Sequence, residues 1–349
     1  MSRGTVGLDI GLDTIRAVEV ENGDKSRPTV VRFFEVALPD GAVRSGEVRE
    51  VNTVAAAIRR LWSAGGFKSK QVVLGIGNQR VLARDLSVPK ASITQIRESL
   101  PFQVQDMLPV PVSEALLDFY PISESESDHG PVVNGLLIAA IKESVGANVD
   151  ATRQAGLVPV NVDLIPFAIS RALVRGEYAN TTVALVDVGA NTTHVVAVAK
   201  GVPQFVRMIP AGGSDITRTL SNRLEIAPEQ AEAAKRARGL SGAPASSEAE
   251  RVVAEVVNHA TGELLNSLRN TLNYFNNTRP HDPVQAIILT GGGAQLTGFA
   301  AALGESMRIS VIAADAFASV DVAKAANKGG TSDTRTMTVA LGLALGGAA

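Results

Sequence analysis

Two Asp-x-Gly turns, Asp9-Ile10-Gly11 and Asp187-Val188-Gly189, lie in matching settings in the two halves of this chain. Each follows an apolar run (6–8; 183–186) and precedes another (15–20; 194–198). The pattern reads as a duplicated strand–turn–strand unit, so the chain must fold as two related halves. The turn chemistry suits phosphate, because glycine lets the backbone bring its N–H groups close to an anion. A carboxylate beside that anion would repel it unless a divalent cation lies between. Mg2+ is the usual choice, held by one or two carboxylates with phosphate oxygens and water. One such turn means little. Two in register describe a cleft that closes on a nucleotide from both sides.

A chain of 349 residues is long enough for two domains or one bilobed domain. It is 45% hydrophobic but only 4% aromatic, so the core must come from Val, Leu, Ile and Ala, as in strands buried beneath helices. The 33 Lys and Arg nearly balance 35 Asp and Glu, which argues against a general nucleic-acid or anionic-membrane surface. Cysteine is absent, which excludes disulfides and thiolate chemistry and fits a reducing compartment. No secretory leader is expected, and no apolar run reaches the roughly 18–20 residues of a membrane span. The apolar stretch 338–349 is expected to be a helix packed on the protein. The four histidines lack metal-ligand spacing, and His194 is expected to be a satisfied sheet residue.

Along the chain, strands are expected at 6–9, 15–21, 29–37, 71–76 and 80–86. A helix over 52–64, capped by Asn52 or Thr53, should stop at Gly65-Gly66. Proline crowds 88–156, where Ser92 and Gln95 form a capping box and Pro101 should kink a helix or start a new one. Strands at 114–121 and 132–141 should flank a polar loop at 124–129, with a helix over 143–155. A strand at 157–163 and a helix over 166–175 lead into the second half. There strands are expected at 182–186, 194–198, 205–209 and 286–290. Helix is expected over 215–238, broken near Pro228, and over 251–275, with a flexible loop at 241–248 between them.

Three motifs in order carry a resemblance: Gly7-Leu8-Asp9-Ile10-Gly11, Val186-Asp187-Val188-Gly189-Ala190-Asn191-Thr192-Thr193, and Leu289-Thr290-Gly291-Gly292-Gly293-Ala294. They resemble the phosphate-1, phosphate-2 and adenosine motifs of the actin-like ATPase superfamily, which includes actin, sugar kinases and FtsA. The resemblance implies a bilobed actin-like (ribonuclease H-like) α/β fold that binds ATP and Mg2+. Asp9 and Asp187 would lie near the metal. Gly11, Leu12, Gly189, Ala190 and Asn191 would offer backbone N–H groups to the phosphates, and Thr192 or Thr193 a hydroxyl. Gly212-Gly213 is similar to the family's turn before the second-lobe helices. Glu232 and Lys235, in Ala231-Glu232-Ala233-Ala234-Lys235, would reach the ribose and adenine; on their own they would read as a solvated helix face. Gly291, Gly292 and Gly293 would let the adenine lie against backbone. Asp163 stands where the family places a water-orienting group, although a helix N-cap accounts for it equally well.

Further residues are similar to the PilM branch: Ile15-Arg16-Ala17-Val18-Glu19, Leu108-Pro109-Val110-Pro111, Asp118-Phe119-Tyr120 and Val162-Asp163-Leu164-Ile165-Pro166-Phe167-Ala168. The ending Thr338-Val339-Ala340-Leu341-Gly342-Leu343-Ala344 is similar too. This branch implies a first lobe over 1–178 containing an inserted 1C subdomain at 88–156, a second lobe over 179–333, and a last helix (334–349) returning to the first. It implies a cytoplasmic ATP-binding adaptor of type IV pilus assembly with slow or no hydrolysis. Its partners would be other pilus assembly components and the cytoplasmic N-terminal peptide of a PilN-like inner-membrane protein. That peptide would lie in a groove for which Arg84, Leu86, Phe102 and Leu117 are candidates, each readable as core. No direct membrane insertion is expected, because the membrane-targeting helix that usually ends FtsA has no counterpart. An ATP-dependent filament protein of FtsA or MreB type, or a small-molecule kinase, remains an alternative. Two departures stand out. Leu12 and Asp13 replace small hydroxylated residues, with Asp13 expected to face outward. Arg16 replaces a lysine and is expected to be a surface strand residue.

Overall fold

The first Asp-x-Gly turn joins β1 (Thr5–Ile10) to β2 (Thr14–Glu21) as an antiparallel hairpin, and β3 (Thr29–Ala37) pairs with β2. The ribbon of β4 (Val43–Arg44) and β5 (Glu47–Val48) leads to α1 (Val51–Gly65) and β6 (Gln71–Ile76). Next come β7 (Val81–Pro89), α2 (Ile93–Gln103), β8 (Ala115–Ser127) and β9 (Gly130–Ile141). The first half closes with α3 (Lys142–Gln154), β10 (Val158–Leu164) and α4 (Ile165–Leu173). The second half runs through β11 (Thr182–Val188), β12 (Thr193–Ala199), β13 (Val202–Ile209), α5 (Gly213–Leu224), α6 (Pro228–Arg238) and α7 (Glu248–Thr278). It continues with β14 (Ala286–Thr290), α8 (Phe299–Met307), β15 (Ser310–Ala313), β16 (Asp321–Val322) and α9 (Thr338–Gly346). This computed structural model describes residues 4–240, 244–327 and 333–347; the start of the expected 241–248 loop lies outside them.

The duplication is visible in the sheets. One runs β3-β2-β1-β6-β10 and the other β13-β12-β11-β14-β15, each with a three-strand antiparallel meander followed by two parallel strands. β16 then pairs in parallel with β3, so chain from beyond the second sheet completes the edge of the first. A third sheet, β7-β9-β8, stands apart over residues 81–141 with its own core of Val88, Leu100, Phe119 and Leu137. α3 instead packs on α1 and β10.

Strand alternation decides which side chains face the cleft. Along β1, Val6 and Leu8 pack beneath α1, so Gly7 and Asp9 face the other way, toward α9. Along β11, Ala184, Val186 and Val188 pack with α7 residues, whereas Val183 and Leu185 join the central core with α4 and α9. Asp187 shares the parity of Val183 and Leu185. Both carboxylates therefore lie on the facing sides of the two sheets.

Three expectations change in detail. α1 starts after Glu50 with no side-chain cap, and Thr53 instead donates to Glu50 at 2.8 Å. Gly66, at φ 65°, ends that helix as expected. The Ser92–Gln95 capping box forms, but α2 runs straight through Pro101. The helix ends two residues later, so little of it is disturbed by the missing amide. The polar stretch 124–129 continues the β8–β9 ribbon to Ser127 and Gly130, with Asn134 donating to Ser125 at 2.9 Å. Its polarity reflects water on both faces of a ribbon.

Candidate functional site

The two Asp-x-Gly turns have the same internal geometry. Gly11 N donates to Thr14 O at 3.0 Å, and Gly189 N donates to Thr192 O at 3.0 Å. A Cβ on either glycine would stand 2.8 Å from that same carbonyl, so each turn closes only around glycine. The glycine amides are thus spent on the turn. The next two in each, of Leu12 and Asp13 and of Ala190 and Asn191, have no protein acceptor among the described residues. Successive amides of this kind form an anion-binding nest.

Asp9 is buried, and its carboxyl is pushed up to about 6. Burial is the main cause and the charge of Asp187 adds to it, while Arg16 and His194 oppose the rise. Two buried carboxylates that repel each other fit a hydrated divalent cation held between them and a phosphate. No group of three or more metal-ligating side chains exists among the described residues, so water and phosphate would supply the remaining ligands.

Each aspartate has a basic residue directly across its hairpin. Asp9 pairs in register with Arg16, whose Nη1 lies 3.9 Å from it while Nε donates to Glu35 at 3.1 Å. Arg16 is therefore part of the site and not the plain surface residue expected. Asp187 pairs with His194, whose Nδ1 lies 3.1 Å from Asp187 Oδ2 and whose Nε2 donates to Gly77 O at 2.7 Å. A carbonyl only accepts, so Nε2 carries a proton. Nδ1 then faces the Asp187 carboxylate. His194 is satisfied, as expected, and it also ties the second sheet to the end of β6.

The remaining candidates converge from distant parts of the chain. A Cβ on Gly212 would lie 2.5 Å from the carbonyls of Gly189 and Ala190, and one on Gly291 (φ 94°) 2.7 Å from Asp187 Oδ1. A Cβ on Gly293 would lie 3.0 Å from Gly189 O, whereas one on Gly292 would meet nothing within 4 Å. The glycines at 189, 212, 213, 291 and 293 thus form one backbone-to-backbone cluster. Lys235 is buried against it, donating to Gly213 O at 3.0 Å and pairing with Glu232 at 2.5 Å. Burial alone would raise the Glu232 carboxyl, but hydrogen bonds from Lys235, Thr217 and Arg236 prevail and bring it down to about 2. Thr193 Oγ1 donates to Ala211 O at 2.8 Å, leaving Thr192 as the hydroxyl nearer the turn.

Asp13 is exposed, as expected, and Ser214, at the start of α5 in the other half, donates to it at 3.3 Å. Partial desolvation raises its carboxyl against that hydrogen bond. Asp163 is the penultimate residue of β10, with Oδ1 accepting from Leu164 N at 2.8 Å and Oδ2 paired with Arg171. Of the groove candidates, Leu86 and Leu117 pack on the core of the third sheet and Phe102 is 86% exposed. Arg84 lines a gap toward the second half with Arg207 and Tyr274. Sequence reasoning missed the roles of Arg16 and Ser214. For Arg16 the signal was present, since residues 16 and 194 each follow their aspartate by the same seven-residue step that the hairpin register requires.

The family of type IV pilus assembly protein PilM matches residues 7–348. A solved structure, the PilM-PilN type IV pilus biogenesis complex, is similar with a TM-score of 0.84 at 27% identity, over 99% of this chain and 98% of that one. MreB5 of Spiroplasma citri bound to ADP shares the fold, with a TM-score of 0.54 at 10% identity over 98% of this chain and 95% of its own. The cell division protein FtsA of Bacillus subtilis (strain 168) is 24% identical over 259 residues, 67% of this chain and 58% of that protein. The chain thus spans less than two thirds of that relative's length. No helix among the described residues is long and apolar enough to cross a membrane. With a duplicated α/β actin-like fold and a family match along nearly its whole length, this chain belongs to the PilM family of type IV pilus assembly proteins, related to FtsA.

Proposed function

We propose that this chain is an ATP-binding adaptor of pilus assembly, taking ATP with Mg2+ between its lobes. The free amides at 12–13 and 190–191 would hold the phosphates, with Thr192 adding a hydroxyl. Glu232 and Lys235 would reach the ribose, and Gly291, Gly292 and Gly293 would accommodate the adenine. Asp9 and Asp187 would hold the metal through its water shell, and the ion would neutralise phosphate charge. The observation that carries this reading is the pair of equivalent Asp-x-Gly turns whose carboxylates lie on facing sides of the two sheets and repel each other. Both oxygens of Asp163 are engaged, so water orientation by it requires Arg171 to let go. We accordingly assign slow or no hydrolysis.

The lobes are taken as 1–178 and 179–333, with the last helix returning to the first and an insert built on the third sheet. The cytoplasmic N-terminal peptide of a PilN-like inner-membrane protein would bind between the first lobe and that insert, by strand-like pairing and side-chain pockets. The protein would then sit at the inner face of the cytoplasmic membrane through its partners. Support comes from the likeness to a solved PilM-PilN complex.

Calorimetric titration of ATP with Mg2+ tests the cleft. Asp187→Ala should weaken binding by about a hundredfold, since it removes a buried charge at the metal and the partner of His194. Equal affinity in the variant would refute the metal assignment. For the groove, replacing residues 82–140 by a short Gly-Ser linker should abolish binding of a PilN N-terminal peptide while ATP still binds. Peptide binding that survives the replacement would place the partner elsewhere.

A further inference from the structure

A second cavity, of about 470 Å³, lies behind the Gly212-Gly213 turn, within the second half and beneath α7. Val188, Leu264 and Phe299 supply its apolar walls. Val188 points to the opposite face of β11 from Asp187, so the cavity lies on the far side of the sheet from the interlobe cleft. Asp9, Asp187, Glu232 and Lys235 are absent from its lining. Its volume falls within the roughly 300–1,000 Å³ of small-molecule sites.

One wall residue is unusual. Thr261 of α7 is 2% exposed, and its hydroxyl has no hydrogen-bond partner. A helical threonine ordinarily donates back to the carbonyl four residues earlier. Thr219 and Thr271 do so here, at 2.9 and 2.8 Å. A buried hydroxyl left alone carries a desolvation cost that a ligand's hydrogen bond would recover. The other polar groups of the lining are Asp215, Glu263 and Ser267, with no Lys, Arg or His. Asp215 already accepts from Gly212 N at 2.8 Å and pairs with Arg218, and the exposed Glu263 lies at the rim, 3.5 Å from His259, so Thr261 is the buried polar group of the lining left without a partner.

We infer that this cavity is a binding site for a compact, chiefly apolar small molecule with a cationic or hydrogen-bond-donating head. The apolar body fills the space between β11, α7 and α8, and the head meets Thr261 and the carboxylates. Anions, nucleotide phosphates included, are disfavoured by the same carboxylates. The site stands independently of the nucleotide assignment. Its effect on the cleft rests on that assignment. Gly213 N donates to Gly189 O at 2.9 Å and Ser214 N to Ala190 O at 2.7 Å, so the cavity's glycine wall is also the support of the second phosphate turn. An occupant that favours one position of this wall changes nucleotide affinity, and nucleotide changes the occupant's affinity by the same factor.

Phenethylamine serves as the probe, titrated calorimetrically into the nucleotide-free full chain, with 3-phenylpropionate as its anionic counterpart. Binding of the amine and not the acid is expected. Thr261→Val keeps the side-chain shape and should weaken the amine about tenfold without lowering the melting temperature of the free protein. Ala260→Leu, which fills the space, should abolish binding. No binding of the amine to wild type, equal binding of amine and acid, or unchanged binding in both variants would overturn the site. A repeat with Mg2+ and ATP present separates the two claims. If ATP itself fails to bind, the nucleotide reading falls and the site stands. If ATP binds but the amine's affinity does not change, only the coupling is lost.

Discussion

Gly342→Ala should destabilise the fold by about 4 kcal/mol or more, at the severe end for one added methyl group. A Cβ on Gly342 would lie 1.8 Å from Ala168 O, and one on Gly7 would lie 2.0 Å from Ala340 O. α9 is thus pressed backbone-to-backbone between β1 and α4, with Leu341, Leu343 and Ala344 buried around it. The obstructing atoms are main chain, so no side-chain rotation relieves the contact and the helix must move away from the core of both lobes. Gly146→Ala provides the contrast. It lies inside α3 with nothing within 4 Å of the added carbon, and should stabilise the protein by about 0.5–1 kcal/mol through helix propensity. Denaturant unfolding of both variants checks the pair. A Gly342→Ala chain as stable as wild type would mean α9 is not held as described.

Asp9→Asn should stabilise the nucleotide-free protein at neutral pH and weaken its hold on ATP with Mg2+. The folded-state carboxyl sits at about 6, above its usual 3.8. At about 1.4 kcal/mol per pH unit, that difference amounts to about 3 kcal/mol, as an upper figure. A raised carboxyl binds its proton more tightly in the folded state. Its contribution is therefore fully present below pH 4 and is lost as pH rises through about 6. The Asn variant lacks that loss. Its stability relative to wild type should rise between pH 5 and pH 7.5 and then level off. Unfolding curves at both values, in the presence of a chelator, decide the matter, and a difference independent of pH would rule out Asp9 as the strained group. A carboxylate kept at a cost to the empty protein fits a position used by a bound cation.

Local signals read well where chemistry and geometry coincide. The turn glycines, the Ser92–Gln95 box and the Gly66 stop all follow from backbone sterics, which act over a few residues. The triple glycine and the Gly-Gly turn were found as motifs. Their mutual contact depends on strand order and was not readable from spacing. The polar ribbon at 124–129 reads as a loop in the sequence, because a two-stranded extension wet on both sides lacks the alternation that marks a strand. Arg16 reads as a surface residue because its charge outweighs its register. The tie of Ser214 to Asp13 joins segments from different halves. Partners so far apart in the chain leave no local trace in composition.

The return of β16 and α9 to the first sheet has a consequence for synthesis. On a ribosome, the residues that cover Gly7 and complete the edge beside β3 emerge only after the whole second lobe has been made. The first lobe must therefore wait with an apolar face and an open strand edge uncovered, a state prone to wrong association. Nascent chains should need shielding until the final helix arrives. Because that helix closes both halves, the protein becomes fully assembled late and in one step.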